Sequence, residues 1–196
     1  MGKEIVIEAE AWAEFEDLLV RNEHQGGDRV VKEVSAHFQE HGWMEWWPKG
    51  NKFQQRDRII ALYRNWMGIR YSQHRRNQLL ETNYRFWIYR HGNSLDPRPS
   101  HVAWDGVALP PDHPFWDLHF PPCGWGCTCR VSGADSERGI VRLGGDPERK
   151  LPEGWDAPLP ETGRPLGVDW QYKYGQRWPT LLEIVEAVVS GKHPYI

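Results

Sequence analysis

His101 to Arg130 reads HVAWDGVALPPDHPFWDLHFPPCGWGCTCR, and this stretch decides what kind of fold the chain can take. All three cysteines, Cys123, Cys127 and Cys129, fall in its last eight residues, and the stretch as a whole holds three of the histidines, five prolines and three tryptophans. Each proline removes a backbone donor and crowds the preceding turn, so a regular helix through the stretch is not expected. Its shape must come from side-chain packing, metal or sulfur chemistry. With helical patterns before it and a short aromatic strand pattern beside it, the expected class is α+β: N-terminal helices packed on a small sheet, with a long Pro/Trp/Cys-rich loop wrapped over it. Trp104, Trp116 and Trp125 are expected in the core, each placing its indole N–H on a backbone acceptor. Asp105, Asp112 and Asp117 are expected to brace loop amides.

Upstream, residues 8–20 carry Ala11, Trp12, Phe15, Leu18 and Leu19 at helical spacing after an acidic start. Gly26-Gly27 breaks that helix. Asp28 is the expected cap of a second one, Arg29 to Glu40, with Val30, Val31, Val34 and Phe38 on one side and Gly42 ending it. The run Trp43-Met44-Glu45-Trp46-Trp47-Pro48 reads as a packed connector. Phe53 to Leu80 is the longest helix candidate, weakened but not broken by Gly68. It concentrates positive charge, and Arg64, Arg70, Arg75 and Arg76 are its candidate contacts to nucleic acid or an acidic partner. Tyr84 to Arg90, YRFWIYR, reads as a strand. A short strand is expected within Val102 to Leu109 and another beginning at Cys129-Arg130-Val131. Ser132 to Gly167 reads as loop, and Pro179 to Ser190 as a last helix with Pro179 at its start. No internal repeat is visible.

The length of 196 residues suits one domain with room for a real core. The net charge of −3 gives no global basic field drawing the chain onto nucleic acid. Twelve tryptophans supply much of the apolar area that a modest aliphatic content does not. The N-terminus lacks the apolar core of a signal peptide, and no apolar run is long enough to cross a membrane. An odd, tightly spaced cysteine set points to a reducing compartment rather than a secreted disulfide framework.

Zinc takes four ligands from thiolate and imidazole. Cys123, Cys127 and Cys129 offer three at C-x3-C-x-C spacing, and Gly124 and Gly126 let the backbone turn tightly around an ion. His101 is the candidate fourth ligand, with His119 as its alternative. A disulfide using Cys123, or three reduced thiols without metal, are the competing readings. Isolated histidines such as His24, His37 and His193 read as surface or hydrogen-bonded residues. Nothing in the sequence aims a base at Cys129, and the zinc-deaminase, H-E-x-x-H, phosphate-loop and nucleophile-elbow signatures are absent. No enzymatic activity is expected.

The run RPSHVAWDG followed by LPPDHPFWDLHFPPCGWGCTCRV resembles the signature of the phage Mu F-like family, the minor head or head morphogenesis proteins of tailed phages. Arg98, Pro99, His101, Gly106, Pro111, Asp112, His113, Pro114, Phe115, Trp116, Pro121, Pro122, Gly124, Trp125, Cys127 and Cys129 match it in order. ALYRNWMGIRYSQHRRNQLL and YRFWIYRH look like the helix and strand leading into it, and WQYKYG like a downstream segment. The family often has Asn where Cys123 stands, so the shared elements are His101, Cys127 and Cys129. Many members are longer, which makes this chain a compact member, one half of a split gene or a prophage remnant.

The resemblance implies a structural minor head protein of a tailed bacteriophage or prophage. It would act in head morphogenesis at the portal or inner capsid and in DNA packaging or ejection. The implied partners are the portal protein, the major capsid protein and packaged double-stranded DNA, with no membrane. The implied location is the virion head, and the host cytoplasm during assembly. The expected organisation is an N-terminal helical region over 1–52, the head morphogenesis domain over 53–175, and a C-terminal helix and tail over 176–196. A structural Zn2+ is the only expected cofactor. The alternative is a metal-dependent enzyme or toxin using His101, Cys127 and Cys129.

Overall fold

The computed structural model describes residues 7–23, 25–94, 96–158 and 178–191. The chain is α+β: helices accompany one small antiparallel sheet. It divides into two compact units, residues 1–67 with 179–196, and residues 68–178. These are divisions of packing, whereas the boundaries at 52/53 and 175/176 follow family resemblance.

The first unit is helical. Helix α1, Ala9–Arg21, buries Ala11, Phe15, Leu18 and Leu19, the face its spacing predicts. Helix α2, Gly27–Glu40, buries Val30, Val34, His37 and Phe38. Two sequence expectations are corrected here. Gly26, not Asp28, occupies the cap position, and Asp28 sits in the first turn and accepts from Arg56 Nη2 at 3.2 Å. His37 takes the inward place expected of Val31, because the apolar stripe advances by 3.6 residues per turn and reaches 37 but not 31. A 3-10 turn at Trp43–Glu45 follows, with Trp43 and Trp47 buried, so the aromatic run is a packed connector. Helix α3, Lys52–Thr82, contributes residues to both units. Asn51 caps it, accepting from the amides of Phe53 and Gln54 while Gln54 Oε1 accepts from the Asn51 amide. Asn22 ties the unit together: its side chain donates to Leu18 O at 2.9 Å and to Glu33 at 2.7 Å, and its carbonyl accepts from Tyr63 Oη at 2.6 Å. Helix α7, Leu181–Val189, starts in a capping box made by Thr180 and Glu183, one residue past the expected Pro179.

The second unit is built on the strand β1, Phe86–Arg90. It is the central strand of three, in the order β2-β1-β3, with β2 Ala108–Leu109 and β3 Arg130–Ala134 antiparallel to it. Successive side chains of a strand point to opposite faces. Trp87 and Tyr89 therefore join Leu79, Trp104, Phe115, Trp116, Phe120, Cys129 and Val131 in one core, while Ile88 meets Ala134 and Ile140 on the other side.

The loop expected over Ser132 to Gly167 is corrected in part. Strand β3 runs on to Ala134, and helix α6, Glu137–Arg142, follows behind a Ser136 cap. Residues 159–167 of that loop, the WQYKYG segment, His24 and His193 lie outside the described residues. The expectation of no regular helix within the Pro-rich stretch is also corrected. Two five-residue helices form, α4 Pro99–Ala103 and α5 Phe115–His119. Their prolines stand at or before the first turn, where no backbone donor is needed.

Candidate metal centre

Three backbone segments converge at the sulfurs. Helix α4 presents His101, β1 presents Tyr89, and the chain entering β3 presents Cys127 and Cys129. One donor atom from each of His101, Cys127 and Cys129 lies within 4.8 Å of the others. His101 Nδ1 is 3.8 Å from Cys127 Sγ and 3.6 Å from Cys129 Sγ. His101 is 2% exposed and stacks on Trp104, ring centroids 5.3 Å apart at 26°.

The local sequence explains the approach. Gly126 takes φ +66° in the turn that returns the Cys127 amide to Gly124 O. Gly92 lies so close to Thr128 that a Cβ there would collide with its carbonyl, so the Cys-x-Cys segment can press against the end of β1. Motif residues also hold one another: Arg98 donates to Trp125 O at 3.0 Å, and Trp116 Nε1 donates to Pro110 O at 2.9 Å. Asp105 braces the strand end, accepting from the His91 amide at 2.8 Å and from Arg90 Nε at 2.9 Å. Burial opposes its charge, but those two donors outweigh it and hold its pKa below the ordinary carboxylate value.

Cys123 and His119 sit beside the triad rather than in it. Cys123 Sγ donates to His119 O at 3.4 Å. His119 Nε2 meets Trp155 O at 2.9 Å, which leaves a buried Nδ1 with no partner among the described residues. Burial lowers the His119 pKa to about 4, the Trp155 carbonyl opposing it only in part.

All three cysteines are free. The Cys127 thiol is pushed up to about 12, first by its bond with Cys123 and also by burial, against help from Cys129. Cys129 is pushed up to about 12 by its bond with Cys127 and by burial. Burial and the three neighbouring cysteines raise Tyr89 as well. A crowd of buried sulfurs resists negative charge; a divalent cation among them relieves that resistance by binding the thiolates. Two sulfurs and an imidazole nitrogen are a donor set suited to zinc, so the residues present fit the ion.

The four arginines have different surroundings. Arg75 donates to Val131 O at 3.0 Å and to Gln78, and Arg76 faces Asp117 at 3.8 Å and the Phe120 ring at 6.0 Å. Arg64 is exposed and Arg70 half-buried. Sequence reasoning missed Tyr89 as a neighbour of the sulfurs. Its alternation with Trp87 on β1 was the available signal.

Residues 13–132 match the family described as Phage Mu protein F like protein. The chain is 26% identical to the Mu-like prophage FluMu F protein of Haemophilus influenzae over 179 residues, covering 76% of this chain and 42% of that one. It is 30% identical to the putative capsid assembly protein F of Escherichia phage Mu over 83 residues, covering 41% of this chain and 19% of that one. The chain thus spans less than half the length of either relative. No solved structure matches it. No described helix is long and apolar enough to cross a membrane.

Proposed function

The chain belongs to the Phage Mu protein F like family, and on that premise we propose that it is a structural component of a tailed-phage or prophage head, acting in head assembly. The single observation that carries the reading is the family match over 13–132, which includes the whole motif from Arg98 to Cys129. The name of the phage Mu relative, a putative capsid assembly protein, supports it. The proposed partners are the portal and major capsid proteins, with double-stranded DNA met through Arg64 and Arg70. The proposed locations are the virion head and the host cytoplasm during assembly. Co-expression with the portal and major capsid proteins of the encoding phage tests the reading. The chain is expected to sediment with assembled heads, and its absence from them overturns the proposal.

His101, Cys127 and Cys129 would supply three of the four ligands of a structural Zn2+, whose role is to neutralise the thiolates and pin α4 to the chain entering β3. Metal analysis of purified protein checks this. Zinc is expected in the parent and lost from the thiol site in the Cys127→Ser/Cys129→Ser variant. Parent protein with no zinc at that site removes the assignment.

A further inference from the structure

The helix pair α1–α2 carries a second cluster of metal-binding groups that neither the family nor the thiol site explains. His37 lies in the last turn of α2 and His41, four residues on, is its C-cap, so their side chains share a face, and their ring centroids lie 4.3 Å apart. Glu14 on α1 reaches the same place, its Oε2 3.4 Å from His41 Nε2. One donor atom from each of the three lies within 4.8 Å of the others. We propose that Glu14, His37 and His41 bind a divalent transition-metal ion of the zinc class, with the remaining coordination positions open to solvent.

Three features support this. His37 has a second partner that can fix its ring: its Nε2 is 3.1 Å from Ala11 O, and the tautomer with a proton there has a bare Nδ1 lone pair. Metal-bound histidines are commonly fixed by such a second hydrogen bond. The ring is held from the sides by Phe15, stacked at 5.6 Å and 18°, and by Trp43, edge-on at 5.0 Å and 83°. The surroundings also attract a cation. A cavity of about 510 Å³ opens beside the cluster, lined by Glu14, Asp17, Glu33 and Glu40 with Arg21 among them, Glu33 being paired with Arg29 while the other three carboxylates outnumber the one lining guanidinium. Two imidazoles and one carboxylate select zinc, copper, nickel or cobalt over magnesium and calcium, which require oxygen donors throughout.

The experiment uses the full chain carrying Cys127→Ser and Cys129→Ser, which silences the thiol cluster, titrated with zinc chloride by calorimetry. One binding event is expected, weakened roughly tenfold or more by Glu14→Gln and by His41→Asn. No binding in the parent of that series, or unchanged affinity in both ligand variants, overturns the proposal. If the double cysteine variant does not fold, the wild-type chain is titrated with cobalt(II). The thiolate charge-transfer band then reports the sulfur site, while Glu14→Gln is expected to remove one equivalent of bound cobalt without changing that band. An undiminished total in Glu14→Gln overturns the proposal equally. Loss of the band alone strikes the thiol site and leaves this one standing.

Discussion

Trp104 is fully buried, yet its indole nitrogen has no acceptor among the described residues. This departs from the expectation, met by Trp116, that each motif tryptophan finds a carbonyl. An unmade bond of this kind costs about 1–3 kcal/mol. The indole is nevertheless held on all sides: His101 stacks at 5.3 Å, the His119 ring lies at 4.3 Å, and Tyr89 and Phe115 meet it edge-on. Aromatic contacts of this type each contribute roughly 0.5–1.5 kcal/mol, so several together offset the missing bond. His119 carries the pH dependence of this cluster. Its folded-state pKa of about 4 lies below the ordinary 6.5, so the unfolded chain takes up the proton first as pH falls. Stability is therefore full above about 6.5 and declines as pH falls toward about 4, by up to roughly 3 kcal/mol. Urea denaturation of metal-free protein across that window checks this: His119→Gln should show a distinctly flatter decline than the parent, and an identical decline would count against the assignment.

At the level of elements, regular periodicity was readable and interrupted periodicity was not. Helices α1, α2 and α7 announce themselves by an apolar stripe, and β1 by alternating aromatics. Helix α6 was missed because it is six residues long and contains Gly139. The end of β3 was missed because Ser132, Gly133 and Ala134 carry little strand preference and depend on pairing with Ile88, Trp87 and Phe86. Helices α4 and α5 were missed because proline was read as a breaker where it acts as a starter. The sulfur triad was legible because its members lie in one motif. Glu14, His37 and His41 were not, since two helices must pack before they meet. In α3, Gly68 is helical and a Cβ there would meet nothing within 4 Å. Gly68→Ala is therefore expected to stabilise the protein by about 0.5–1 kcal/mol, by lowering unfolded-state entropy and raising helix propensity. A rise in the urea midpoint with unchanged slope is the expected readout.

Across the whole molecule a net charge of −3 leaves any contact with DNA to local groups. Arg75 and Arg76 are engaged within the fold, so Arg64 and Arg70 are the members of that set left to reach phosphate. Replacing both with Gln should reduce the slope of log affinity against log salt by about 2 and weaken binding to all DNA sequences alike. Fluorescence anisotropy with duplex DNA at several salt concentrations measures it, and an unchanged slope would remove these residues from the interface. The contact between His101 and Cys129 spans 28 positions of chain. In polymer terms it is the knot of a noose that only the folded chain draws, so closing a loop of that size costs chain entropy on folding. A zinc ion at the proposed thiol site would hold that knot only once its ligands have met, so metal uptake and closure of the loop would be a single event.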